Sequence, residues 1–342
     1  TTWGCCNWSS AASSMVTNTQ LTNADVKGQL RTGALVGKNN GTIMKSYSEN
    51  TAIQSNDFAG VLIGENTGSV SQCYATGDIQ ANSAIGGLVG HNNQGHIAVC
   101  YANVHVMGNT QSGGLVGLKD DGSIDQSYSI GLVDNGTSAI GGLVGEATGS
   151  SFVDSFWDSQ TSGQSTSAVG AAKTTSEMKT VATFATWQLK SVWGLHPDYN
   201  SGYPFLRTFE TPTPNAPIAN NVAISGTIEV GNSLSASYSY SDADNDPEYL
   251  SSIQWFRSKD NMGTDRQLIE NADSVSYIVQ ESDKAFFLSV VVTPSDVFNQ
   301  GDPVEVFASQ AVPSDVYAGG FGTEDFPYQI ADVNQLQAMN MN

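Results

Sequence analysis

The chain has 342 residues, room for two or three domains with cores of their own. Thirteen Lys and Arg stand against thirty-three Asp and Glu, a formal net charge of −20 that repels nucleic acid and anionic membrane surfaces and sets both aside as partners. Only 13% of residues are charged, while Gly, Ser, Thr and Asn abound; this composition is poor for helices and suits short strands and turns, so an all-β chain is expected.

The first residues, TTWGCCNWSS, read neither as a secretory signal nor as a natural initiator, so the chain is expected to be processed or excised from a longer precursor. Cys5 and Cys6 are adjacent, which points to a vicinal bridge or to a bond with another chain. No run of eighteen apolar residues follows anywhere, so no membrane insertion is expected.

From residue 32 a repeat sets in. GALVG at Gly33 and GVLIG at Gly60 are followed by GGLVG at Gly86, Gly113 and Gly141. The closing glycines, Gly37, Gly64, Gly90, Gly117 and Gly145, are separated by steps of 27, 26, 27 and 28. After each comes a turn glycine (Gly41, Gly68, Gly95, Gly122, Gly149), then Ile43, Val70, Ile97 or Ile124 in the first four copies, then an aromatic: Tyr47, Tyr74, Tyr101, Tyr128 or Phe156. Such a period with β-prone pieces between glycine corners predicts a solenoid in which each repeat is one coil. Stacked coils would bring Leu62, Leu88, Leu115 and Leu143 into one internal ladder and the Ile and Val positions into another. The glycines would serve either a positive φ or a close backbone approach. A phosphate loop does not fit GALVGKNNG: three residues, not four, separate its glycines, and Asn39 rather than Ser or Thr follows the Lys.

Over residues 32–165 the repeats resemble the GLUG motif, named for its Gly-Leu-any-Gly core and found in large bacterial cell-surface and adhesin-like proteins. The segment from Ser155 to Leu206 is similar to the one that commonly closes such arrays. The resemblance implies a right-handed β-helix of about five coils used for display or adhesion, and it brings no catalytic residues with it. Residues 1–31 lack the glycine motif, so the capping of the first coil is left open by the sequence.

Within the array, Cys73 and Cys100 occupy the same place in successive coils. In-register stacking would put their Cα atoms about 5 Å apart, within disulfide reach; two buried free thiols are the other reading. His91 and His96 flank a turn without further metal ligands at matching positions and read as a solvated turn. Asp154 and Asp158 in DSFWD invite comparison with the paired carboxylates of glycoside hydrolases, but no Arg or Lys accompanies them.

Thr174 with Glu177 makes a capping box, and Met178, Val181, Ala182 and Ala185 follow at helical spacing, so a short amphipathic helix within residues 166–210 is expected to cover the open end of the solenoid. TPTPNAP, residues 211–217, reads as a stiff linker. Charge then shifts: residues 1–208 carry a net −5 and 209–342 a net −15. In residues 218–312, LSASYSYSD alternates Leu234, Ala236, Tyr238 and Tyr240 on one face, Trp255 sits in IQWFR, and FFLSVVVTP reads as a buried strand; seven or so strands predict an Ig-like sandwich with Trp255 in its core. The run VGNSLSASYSYSDADNDPE is similar to Ig-like modules of bacterial surface proteins.

SDADNDPE places Asp242, Asp244, Asp246 and Glu248 at alternate positions, a candidate calcium loop set against a solvated acidic turn. Residues 313–342 resemble the opening of another GLUG-type module, with Tyr328 and Ile330 in a strand and Val333, Leu336 and Met339 on a helix; a donated segment completing a neighbouring copy is one expectation, an excerpt of a tandem array the other. Asn7, Asn40 and Asn135 lie in glycosylation sequons. Together these features lead us to expect a non-enzymatic structural or adhesive component, extracellular or cell-surface and bacterial in type, that needs no cofactor, takes calcium at most, and meets its own copies, a surface glycan or a protein receptor. The rival expectation is a β-helix that binds or cleaves polysaccharide, with the recurrent tyrosines as its stacking row.

Overall fold

The computed structural model describes residues 2–4, 11–149 and 151–314. The chain divides into two compact units, Thr1–Thr211 and Pro212–Asn342. No helix among the described residues is long and apolar enough to cross a membrane.

The first unit is a β-solenoid. Each repeat lays strands on three parallel sheets. One sheet stacks Val36–Asn39, Ile63–Asn66, Val89–Asn93, Val116–Asp120 and Val144–Thr148; a second stacks Leu30–Thr32, Asp57–Gly60, Ser83–Gly86, Thr110–Gly113 and Ser138–Gly141. The third and largest is centred on Tyr47–Gln54, Ser69–Gln80 and His96–Met107. Register follows the sequence period, with one shift where Ser69–Gln80 pairs with Tyr47–Gln54, between Ala75 and Gly77. Val36, Ile63, Val89, Val116 and Val144 stand over one another, as do Ile43, Val70, Ile97, Ile124 and Phe152.

The predicted leucine ladder forms. Leu62, Leu88, Leu115 and Leu143 are fully buried, and their backbones are joined from coil to coil: Leu62 N–H donates to Leu88 O at 3.1 Å, Leu88 to Leu115 and Leu115 to Leu143 at 2.9 Å. Each buried leucine contributes about 1.5–3 kcal/mol relative to an exposed one, and no coil could bury its own alone.

Of the two roles open to the closing glycines, close approach is the one they fill. A Cβ on Gly117 would lie 2.2 Å from Ile85 N, and one on Gly90 2.5 Å from Ala59 N. Positive φ belongs instead to the turn glycines Gly122 (66°) and Gly149 (69°). The space inside each coil is closed by main chain, which cannot step aside as a side chain can.

The first 31 residues carry no glycine motif yet take part in the stack. Met15–Thr17 pairs in parallel with Thr42–Met44, and Val16 meets Ile43. Gln20–Thr22 and Asp25–Lys27 pair with Tyr47–Gln54, placing Val26 beside Ile53. What qualifies this segment is β-branched residues at the ladder positions.

The expected capping helix is corrected in both form and place. Two 3-10 turns, Glu177–Lys179 and Val181–Phe184, replace it, because Thr180 between them is extended (φ −120°, ψ 139°). The hydroxyls of Thr180 and Thr183 both donate to Glu177 O, at 2.9 and 2.7 Å, beside the Thr180 N–H at 3.1 Å, so this carbonyl closes a 3-10 turn rather than an α-helical one. From there the chain runs back along the tyrosine flank of the solenoid rather than over its end. Phe184 and Trp187 pack on Phe156, Trp187 and Trp193 on Tyr128, Trp193 on Tyr101, and Phe209 on Tyr74 and Tyr47. A two-stranded antiparallel pair, Trp193–Gly194 with Phe205–Leu206, stiffens this strap.

In the second unit, Ile218–Ser225, Ser233–Ser241 and Ser276–Ile278 form one antiparallel sheet; Gln267–Leu268, Ser252–Ser258, Phe287–Thr293 and Val304–Ala311 form another. Both contribute to one core that holds Leu234, Ala236, Leu288, Val290 and Val292. Trp255 is fully buried at its centre, stacks on Tyr277 at 5.6 Å and donates from its indole N–H to Ser274 O at 2.9 Å. The proline-rich segment is tied to this unit from Pro214 onward: Asn299 Nδ2 donates to Pro214 O at 2.8 Å and to Asn215 O at 3.1 Å.

Replacing Gly117 by Ala forces a methyl group against Ile85 main chain. Thermal unfolding should show a loss of about 1–3 kcal/mol, the usual cost of overpacking, while far-UV circular dichroism at low temperature stays β-type.

Candidate functional site

The solenoid's most conspicuous chemical row is its aromatic ladder. Tyr47, Tyr74, Tyr101 and Tyr128 stack ring on ring with centroids 4.6, 4.9 and 5.2 Å apart and planes within 15°. The strap covers it. Tyr128 is fully buried, and its hydroxyl donates to Pro204 O and accepts from Asn200 Nδ2 at 2.7 Å; burial pushes the phenols of Tyr128 and Tyr101 well above their usual range. Tyr74 and Tyr101 are likewise buried and Tyr47 half-buried, so along most of its length this row meets the strap, not a ligand.

Asp154 and Asp158 enter different contacts. Asp158 is fully buried and saturated: one oxygen accepts from the backbone N–H of Gln160 (2.9 Å) and Thr161 (3.1 Å), the other from the hydroxyls of Thr175 (2.7 Å) and Tyr203 (2.8 Å). Burial and that carboxylate push Tyr203 up to about 12. The group anchors the strap to the last coil. At Asp154 the backbone carbonyl accepts from the Trp187 indole at 3.1 Å.

His91 and His96 turn to different carboxylates of the next coil. His91 Nε2 lies 3.0 Å from Asp120 and His96 Nδ1 3.4 Å from Asp125; no common ligand position joins them. Lys38, the lysine of the phosphate-loop-like GALVGKNNG, is 3.0 Å from Glu65, which also accepts from Arg31.

Cys73 and Cys100 are paired in register, as the period predicts, but as free buried thiols. Each S–H is directed at a carbonyl two residues back in its own strand, Ser71 O or Ala98 O, at 3.2 Å. Parallel in-register strands hold equivalent Cβ atoms about one strand spacing apart, ~4.8 Å, wider than the ~3.8 Å mean of a bridged pair. Cys5 and Cys6 lie outside the described residues, as do Tyr328, Ile330, Val333, Leu336 and Met339.

Two polar ladders escaped the sequence reading. Inside the fold, Asn39 Nδ2 donates to Asn66 Oδ1 and Asn66 Nδ2 to Asn92 Oδ1, both at 2.8 Å, and all three residues are fully buried. Lys119 takes the next rung; burial lowers its pKa, and its Nζ donates to Thr148 O at 3.3 Å. On the outside, Asn56, Asn82 and Asn109 repeat at the corner between two sheets, beside Gln54, Gln80 and Met107, and line an open groove of about 450 Å³. The same 26- and 27-residue steps, applied to amides as well as to glycines, would have found both.

In the second unit the acidic loop gathers three of its four candidates. One carboxylate oxygen each of Asp242, Asp244 and Asp246 lies within 4.8 Å of the others. Asp242 Oδ1 accepts the backbone N–H of Asp244 (2.8 Å) and Asp246 (3.1 Å), curling the loop, while its Oδ2 is buried with no hydrogen-bond partner among the described residues. Asp246 is 2% exposed. Glu248 stands apart from the trio, its carboxylate accepting from the Tyr238 hydroxyl and its backbone pairing with that of Asp296. Burial, reinforced by Asp242, Asp296, Asp246 and Glu248, raises the Tyr240 phenol. Several oxygens converging from one loop are a donor set that suits a hard cation such as calcium.

No family model matches the chain. A protein of Evansella cellulosilytica described as a Gly-rich membrane protein is 34% identical over 82 residues. That similarity covers 22% of this chain and 10% of the other protein, so the chain spans a small part of its relative's length.

Burial alone would raise the Glu65 carboxyl, but its hydrogen bonds to Arg31 and Lys38 outweigh this and hold it below its ordinary 4.5. A carboxyl lowered in the folded state adds stability above the unfolded value and loses it as pH falls through the folded one. Glu65→Gln should therefore cost on the order of 1–2 kcal/mol at pH 7, with the gap to the parent closing as unfolding is repeated at successively lower pH below 4.5.

Proposed function

We propose that the chain is a non-enzymatic structural and adhesive component of a bacterial extracellular or cell-surface protein, with a GLUG-type right-handed solenoid as its stiff part and an Ig-like sandwich as its second unit. The observation that carries this reading is the coil-to-coil register of the first unit, in which the Leu, the Val and Ile, the Tyr and three of the Asn rungs meet their like. Such ladders make a solenoid resist deformation, because displacing one coil breaks several parallel hydrogen bonds and one rung of every ladder together. The residues that had suggested catalysis support the same view: Asp158 is saturated by four hydrogen bonds, and most of the tyrosine row lies under the strap. The two antiparallel sheets packed around Trp255 support the sandwich reading of the second unit.

The gathering of Asp242, Asp244 and Asp246 favours one addition, that the acidic loop takes calcium and stiffens the second unit when it does.

Prolonged incubation with neutral and acidic polysaccharides should release no new reducing ends and no unsaturated products; turnover on any of them would replace this reading with the enzymatic one. For the loop, calorimetric unfolding of the whole chain in calcium should lie above that in chelator, by about 2.7 kcal/mol when the ion is at a hundred times its dissociation constant. Asp246→Asn should abolish the difference. Identical traces with and without the ion would remove calcium from the proposal.

A further inference from the structure

The groove at the solenoid corner is built from exposed amides. Gln54, Asn56, Gln80, Asn82 and Asn109 are all exposed along it, with Met107 half-buried on the same strand row. Gln54, Gln80 and Met107 stand over one another in register. Asn56, Asn82 and Asn109 do likewise, joined through their backbones: Asn82 N–H donates to Asn56 O at 2.7 Å and Asn109 N–H to Asn82 O at 3.2 Å. The volume, about 450 Å³, falls in the range of ligand clefts, and the row climbs the axis in steps of ~4.8 Å.

These amides contrast with the interior ones. Asn39, Asn66 and Asn92 satisfy each other at 2.8 Å. On the outside, Asn109 Nδ2 reaches Asn82 Oδ1 only at 3.4 Å, and among the described residues the amides of Gln54, Asn56 and Gln80 make no hydrogen bond within the protein. A regular array of donors and acceptors is thus left facing outward.

What would fill it follows from its chemistry. No charged side chain is among the described residues that line the groove; Lys27 stands one rung beyond Gln54 and Asp134 one rung beyond Met107, opposite charges at its two ends, and the chain carries −20 overall, so an anionic polymer meets a net repulsive field. An extended peptide would seek free main-chain partners for strand addition; here the backbone is spent between coils, Ser55 N–H on Gln80 O at 3.0 Å and Ala81 N–H on Met107 O at 3.2 Å. Hydroxyl groups, each donor and acceptor at once, match carboxamides, which are the same. We propose that this amide-lined groove binds an uncharged polysaccharide, laid along the solenoid axis so that successive sugar units meet successive coils.

The inference deepens the adhesive part of the function proposed above and rests on it. It can be tested with the whole chain by native affinity electrophoresis in gels containing glucomannan, galactan or hydroxyethyl cellulose, with polygalacturonate and gelatin as the anionic and polypeptide arms. Retardation is expected on at least one neutral polymer. The pair Gln80→Ala with Asn82→Ala should weaken it at least fivefold at an unchanged thermal midpoint, and Asn56→Ala with Asn109→Ala should repeat the loss. No retardation on any neutral polymer, equal or stronger retardation on polygalacturonate or gelatin, or full retardation in both paired variants would each overturn the groove. Failure here differs from failure of the broader reading, which is the release of cleavage products.

Discussion

Backbone hydrogen bonds between residues about twenty-seven apart in sequence hold every other feature of the first unit in place. Because the strands are parallel and in register, each side chain meets its own counterpart from the coils on either side. Like apolar groups gain from this, and so do amides, which are donor and acceptor together. Like charges would suffer, and the charged rungs show how they are managed. Lys38 stands over Glu65, and Glu65 over His91; Asp78 stands over His105. A low overall charge fraction, 13%, is what such stacking tolerates.

The period was legible in the sequence because glycine cannot be replaced where main chain approaches within van der Waals distance. Gly90 and Gly117 announce the coil, and Leu, Ile and Tyr then fall into line at fixed offsets. Segment 15–27 was not legible, because its pairing rests on Val16 and Val26, residues common in any strand. The helix expected after Thr174 failed for a local reason: threonine hydroxyls at 180 and 183 compete for the carbonyl of Glu177. That this segment lies along the flank rather than over the end could not be read from one chain of letters, since Trp187, Trp193 and Phe209 signal only that something aromatic is to be covered. In the acidic loop Asp242, Asp244 and Asp246 converge, and the alternation of carboxylates in the sequence could not show Glu248 turning toward Tyr238.

Inside and outside, the amide ladders differ in one respect that governs their use. The buried set is closed upon itself and adds to cohesion, with the Lys119 ammonium taking the rung after Asn92. The exposed set repeats the geometry without closing it. A solenoid of this kind can therefore turn one motif either to holding itself together or to meeting something else, by placing it on one side or the other of the same wall.

Repeat arrays lengthen and shorten in evolution by gaining or losing whole coils, and nothing in a ladder counts its rungs. The strap does. Its aromatics are spaced to reach Phe156, Tyr128, Tyr101, Tyr74 and Tyr47 in turn, so a coil duplicated or deleted between these would put the ruler out of step with what it measures. In this array, coil number is an inherited length rather than a free variable.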